Sequence, residues 1–126
     1  LAKKLGIKPG DNIYLYNAPE NYYSIVEPLP ENVEETADHK KAELLHVFSN
    51  RRDELEMLLA KFFPVIKRDA CLWVSWYKKA AKLPTEITED IIRDICLPLG
   101  FVDIKVCAVD ELWSGLKLVI RKELRK

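Results

Sequence analysis

The chain has 126 residues, with 20 basic and 20 acidic side chains and no formal net charge. That balance argues against a dedicated nucleic-acid binder, which carries a basic surplus, and against electrostatic docking on a membrane. No apolar run approaches the ~18 residues of a spanning helix, and the length implies one domain over residues 1–126 that buries its own core.

Ala2 to Leu5 reads as the end of a short helix stopped by Gly6, and Lys8-Pro9-Gly10-Asp11 as a turn. Asn12 to Tyr16, β-branched and aromatic, is predicted to be the first strand. Asn17 is placed as the cap of a short helix with Pro19 in its first turn and an apolar side of Tyr22, Tyr23, Ile25 and Val26, ended by Pro28 and Pro30. Val33 to Ala37 forms a weak second strand, and Leu44 to Phe48 a third, apolar except for His46.

Ser49 or Asn50 is expected to cap the next helix, whose Leu55, Leu58, Leu59 and Phe62 follow helical spacing. Asp53 and Glu54 suit the dipole of its first turn. The fourth strand, Ala70 to Trp76, is apolar on both faces: Cys71, Trp73 and Ser75 on one, Leu72, Val74 and Trp76 on the other. A strand of that kind sits centrally under two helical layers. After the basic loop from Lys78 to Pro84, Thr85 or Thr88 caps a helix containing Ile91, Ile92 and Ile95, closed by Pro98 and Gly100. Phe101 to Val109 is the fifth strand and Leu116 to Arg121 the sixth. The connection between them is too short for a parallel crossover, so the pair must be an antiparallel hairpin. Strand–helix alternation with right-handed crossovers gives the order 2-1-3-4-6-5, with helices on both faces.

The number of cysteines is odd, and Cys71, Cys96 and Cys107 each sit inside an apolar run. They read as reduced core thiols of a cytoplasmic protein rather than as a disulfide framework. His39 and His46 have no partners at metal-ligand spacing, and no CxxC or HExxH occurs, so no metal site is expected. His46 is expected to make one structural hydrogen bond. The chain opens at Leu1 without a Met, and a short upstream segment is expected to be missing.

Ligands of open α/β sheets collect at the carboxyl ends of the strands, near the switch in strand order. The residues that fall there are Asn17, Asp38, Ser49, Asn50, Trp76, Lys78, Lys79, Asp110, Glu111, Trp113 and Ser114. Each has a plainer role, since strand ends expose polar loops by default. Asp38, after the second strand, is placed where a carboxylate can hold a ribose hydroxyl. Lys78, Lys79 and Lys82 have the charge to hold a phosphate or carboxylate, or they form a solvated loop. Asp110 and Glu111 are adjacent on extended chain and so point apart, which disfavours a carboxylate dyad. Trp113 either stacks on a ligand or, more simply, packs.

Two stretches, Leu5-Gly6-Ile7-Lys8-Pro9-Gly10 and Phe63-Pro64 through Leu72-Trp73-Val74-Ser75, resemble the Rossmann-like core of class I methyltransferases. The order of strands, helices and terminal hairpin resembles it too. The resemblance implies a three-layer Rossmann-like α/β fold with a mostly parallel sheet of about six strands and an antiparallel C-terminal hairpin. Over nearly its whole length the chain is also similar to a family of small bacterial proteins known only as a domain of unknown function. Leu1 to Ile7, Leu72 to Trp76 with Lys78-Lys79, Lys105 to Glu111 and Trp113 to Leu118 carry that likeness.

One departure bears on function. A class I methyltransferase has a glycine-rich loop after its first strand, whereas this chain has Asn17-Ala18-Pro19-Glu20-Asn21 and no glycine between Gly10 and Gly100. The sequence therefore points first to a module that binds a small ligand or a protein partner without demonstrable catalysis. A degenerate S-adenosylmethionine-dependent enzyme is the alternative. In it, the resemblance implies Asn17, Asp38 and Trp76 at the cofactor and Asp110 or Glu111 near the substrate. A scaffold that self-associates through edge strand two or five, a homo-oligomer, is the third reading. The sequence itself specifies no cofactor.

Overall fold

The computed structural model describes residues 1–125; Lys126 lies outside the described residues. The elements in chain order are α1 (Ala2–Leu5), β1 (Asn12–Tyr16), α2 (Tyr22–Val26), β2 (Glu34–Glu35), β3 (Leu44–Phe48), α3 (Arg52–Phe62), β4 (Cys71–Tyr77), α4 (Glu89–Leu99), β5 (Phe101–Ala108) and β6 (Trp113–Ile120). Short 3-10 turns occupy His39–Lys41, Lys79–Ala81 and Lys122–Leu124.

Six strands form one sheet in the order β2-β1-β3-β4-β6-β5, as the sequence predicts. β2, β1, β3 and β4 run parallel to one another. β6 returns antiparallel between β4 and β5, in a register that sets Trp76 opposite Ser114 and Tyr77 opposite Trp113. Strand parity sorts the core into two layers. Leu45, Val47, Leu72, Val74, Trp76, Leu116 and Leu118 pack against the apolar stripes of α3 and α4. Ile13, Leu44, Phe48, Trp73 and Trp113 pack against α1 and α2. β3 is buried along its whole length, as expected of a strand that is apolar except for His46. No helix among the described residues is long and apolar enough to cross a membrane.

The structure corrects several details. α2 begins after Asn21, not Asn17. Asn17 ends β1 at φ 55°, a left-handed conformation that asparagine tolerates better than most residues, and the chain turns again at Pro19 before the helix starts. Neither Ser49 nor Asn50 caps α3. Its N-cap position is Arg51, and the free Arg52 N–H donates instead to the Glu86 carboxylate at 2.8 Å, from the loop before α4. For α4 the cap is Thr88, whose Oγ1 accepts from the Ile91 N–H at 3.2 Å. β2 shrinks to two exposed glutamates at the sheet edge. β6 starts at Trp113, three residues earlier than expected. The Asp110 carboxylate accepts from the Leu112 and Trp113 N–H groups at 2.8 and 2.9 Å, so the turn is tight enough for pairing to begin there.

His46 makes two hydrogen bonds rather than one. Its ring lies between the Tyr22 hydroxyl, 2.9 Å from Nδ1, and the Ser75 hydroxyl, 2.7 Å from Nε2. It is wholly buried, and burial pushes its pKa down to about 3. Neutral imidazole has one donor and one acceptor nitrogen, and both are satisfied here. This triad ties the short α2 to the centre of the sheet.

Candidate functional site

The strand order reverses between β1 and β3: the chain leaves β1 toward β2 on one side and returns to β3 on the other. Over the carboxyl ends of these two strands lies a cleft of about 490 Å³, lined by Asn17, Phe48, Ser49, Asn50, Arg51, Glu54, Tyr77 and Trp113. Its floor is aromatic. Trp113 meets Phe48 edge-on, with ring centres 4.9 Å apart, and leans over Tyr77 at 4.6 Å. One wall is the left-handed Asn17, and the other is the passage from β3 into α3.

That second wall is built by tertiary hydrogen bonds. The Asn50 side-chain oxygen accepts from the Tyr77 N–H at 2.8 Å, and its carbonyl accepts from the Glu86 N–H at 2.9 Å, which pins the end of β3 to β4 and to the loop before α4. The Ser49 hydroxyl donates to the Glu54 carboxylate at 2.6 Å, and the Tyr16 hydroxyl donates to the other Glu54 oxygen at 3.3 Å. Burial, and then the Glu54 charge beside it, raise the Tyr16 pKa. Arg51 pairs with Asp53 at 2.9 Å in the open. The cleft therefore offers an aromatic floor and a polar rim, but its one carboxylate is already engaged by two hydroxyls.

A second cleft, of about 720 Å³, lies on the α3/α4 side of the sheet. Trp76, Lys78, Lys79 and Ser114 line it, together with Thr85, Thr88 and Glu89. The structure thus divides the residues singled out in the sequence. Asn17, Ser49, Asn50 and Trp113 meet in the first cleft, and Trp76, Lys78, Lys79 and Ser114 in the second. The expected grouping of Asn17, Asp38 and Trp76 does not form, because Trp76 faces the opposite layer from the first cleft. Asp38 caps a 3-10 turn by accepting from the Lys40 N–H at 3.0 Å, and it lines neither cleft. Asp110 closes the hairpin turn, and neither it nor the exposed Glu111 reaches either cleft. Trp113 is buried and packs.

Sequence reading missed Phe48, Arg51, Glu54 and Tyr77 at the first cleft. Glu54 had a signal, an acidic side chain in the first turn of α3, but it was absorbed by the helix-dipole explanation. Among the described residues, no group of three or more His, Cys, Asp or Glu side chains is arranged to hold a metal ion.

The fold is methyltransferase-like. A SAM dependent methyltransferase from Aquifex aeolicus superposes with a TM-score of 0.62 at 15% identity, over 94% of this chain and 86% of that one. The magnesium protoporphyrin IX methyltransferase of Synechocystis, solved with SAM bound, gives 0.58 at 9% identity over 94% and 73%. The fibrillarin pre-rRNA processing protein of Methanococcus jannaschii gives 0.54 at 12% identity over 90% and 68%. At such identities the likeness defines the fold and nothing finer. No protein-family model matches the chain, and no curated protein does. Of the sequence resemblances, the methyltransferase-like core is the part these structures support.

The residues after β1 do not fit an S-adenosyl group held by a glycine loop. The turn carries side chains at every position from Asn17 to Asn21, and Pro19 has no N–H to give. The helix that follows has five residues, and Tyr22 at its start is turned inward to His46. The candidate ribose carboxylate, Asp38, is already bonded to its own turn.

Proposed function

We propose that this chain is a small-molecule-binding domain on a methyltransferase-like fold, without catalysis of its own, and that its site is the cleft over β1 and β3. The observation that carries the reading is the position of this cleft at the reversal of strand order, where open α/β sheets bind ligands. An aromatic floor under a few polar groups is the usual make-up of a small-ligand site. The absence of catalysis is read from the groups that would have to act. Glu54 is held by two hydroxyls, His46 is sealed in the interior, and burial raises the pKa of all three thiols.

The test is thermal unfolding of the protein against nucleosides, S-adenosyl compounds and small organic acids. A ligand at 100 times its Kd stabilises by about 2.7 kcal/mol. Asn17→Gly keeps the left-handed backbone while removing the side chain, and with Arg51→Gln it should weaken any ligand seated in this cleft. A flat panel, or binding indifferent to both substitutions, would overturn the proposal. A second reading, an S-adenosylmethionine enzyme with an altered loop, is favoured by the fold neighbours. Stabilisation by S-adenosylmethionine together with methyl transfer to any acceptor would establish it instead.

A further inference from the structure

The second cleft shares only Tyr77 with the first and has a different chemistry. Two lysines and three hydroxyls able to donate line it. The Lys78 and Lys79 ammonium groups enter no ion pair among the described residues. Thr85 Oγ1 accepts from the Ile87 N–H at 3.1 Å and Thr88 Oγ1 from the Ile91 N–H at 3.2 Å, which leaves both hydroxyl protons to donate. Ser114, beside Trp76 on the next strand, contributes a third hydroxyl. The one carboxylate of the lining, Glu89, is paired with Arg93 at 3.1 Å. Between the donors the walls are apolar: Trp76, Leu83, Pro84 and Ile87.

Backbone hydrogen bonds shape the loop that carries the two lysines. The Lys78 N–H donates to the Leu112 carbonyl at 2.8 Å, and a 3-10 turn over Lys79–Ala81 ends at Lys82 in the left-handed conformation. The N-terminus of the eleven-residue α4 opens on the same space. A concave surface with two unpaired cations and three hydroxyls able to donate, whose one carboxylate is paired with an arginine, favours an anion.

We propose that this cleft binds a soluble phosphate ester whose phosphate lies between Lys78 and Lys79 and whose body lies on the Trp76–Ile87 wall. Phosphate is favoured over carboxylate by the donor set. Five donors from several directions match three terminal oxygens better than two, and lysine supplies point charges where planar carboxylate recognition calls for the fork of an arginine.

Isothermal titration of the full chain with phenyl phosphate, inorganic phosphate and phenol tests this at low salt. Phenyl phosphate should bind at least about tenfold more tightly than either, since it alone engages both the charge and the apolar wall. Lys78→Gln with Lys79→Gln should weaken it by tenfold or more. Lys82→Gln, outside the lining, should leave it unchanged, and the Asn17→Gly protein should bind as the parent does, which separates this site from the first cleft. Equal affinity for phenol, or binding untouched by the Lys78/Lys79 substitutions, would overturn the proposal. Co-sedimentation with phosphatidate vesicles that is lost in the Lys78/Lys79 variant would overturn the soluble-ester assignment in favour of a lipid headgroup.

Discussion

The Tyr22 hydroxyl lies 2.9 Å from His46 Nδ1, in a layer from which water is excluded. With Ser75 on the other ring nitrogen, both nitrogens of the neutral imidazole are hydrogen-bonded, and it is burial that disfavours the charged form. Burial lowers its folded-state pKa from 6.5 to about 3. Below pH 6.5 the unfolded chain therefore takes up a proton that the folded chain refuses. Stability is complete above that pH and is lost as pH falls toward 3, at up to about 1.4 kcal/mol per pH unit. His39, also lowered by burial and then by Lys61, adds in the same direction. NMR of the folded protein should show a His46 ring that does not titrate between about pH 8 and pH 5, while urea midpoints fall only below about pH 6.5. A His46 signal titrating near 6.5 would contradict this account.

Trp73 Nε1–H donates to the Leu5 carbonyl at 2.9 Å, across 68 residues of sequence, from a ring with no exposure. This bond fastens α1, itself only four residues, to the central strand. Trp73→Phe leaves a buried carbonyl without a partner and a smaller ring in the same space. The expected cost is roughly 2–4 kcal/mol by chemical denaturation. Hydrogen exchange should also accelerate at Leu5 and Gly6, whose N–H groups close α1. An unchanged midpoint would mean that α1 is held by its apolar contacts alone.

Gly10 and Gly100 both have positive φ, at 80° and 119°, but they differ in surroundings. A Cβ at Gly10 would meet nothing within 4 Å, whereas one at Gly100 would come within 2.6 Å of the Phe63 ring and 2.8 Å of Leu124. Gly10→Ala should cost only the backbone strain, about 1–2 kcal/mol. Gly100→Ala adds displacement of Phe63 from its edge-on contact with Phe101 and should cost about 3 kcal/mol or more. Equal thermal shifts for the two would refute the packing part of this argument.

The three thiols are set apart by burial. Cys96 has no exposure and its pKa is pushed up to about 11, chiefly by burial; Cys71 and Cys107 are half-buried and raised in the same direction. At pH 8 none is appreciably thiolate, so a thiol-disulfide reagent should react slowly with the native protein, with Cys96 last, and with all three at once in denaturant. A single fast-reacting native thiol would point to a nucleophile that the geometry does not provide.

Much of the fold is legible in the chain itself, because period and punctuation are local properties. The apolar run of β3, the helical spacing of Leu55, Leu58, Leu59 and Phe62, and the two-sided parity of β4 each follow from a few neighbouring residues. The short connection after β5 leaves a hairpin as the only geometry, which pairs β5 with β6, and the right-handed crossovers supply the rest of the order. β2 is the weak point, since two exposed glutamates on an edge carry no pattern.

The candidate sites were legible as a set of positions but not as two sites. That the polar residues cluster at the carboxyl ends of the strands follows from element order alone. Their partners come from distant sequence. Glu86 caps α3, Asn50 holds Tyr77, Ser49 and Tyr16 hold Glu54, and Asp38 and Asp110 are consumed by their own turns. A side chain's chemistry depends on what is left over after such bonds are made. Tertiary packing makes them, and so it decided that one cleft presents a rim whose carboxylate is already engaged while the other presents two lysines without an ion-pair partner among the described residues.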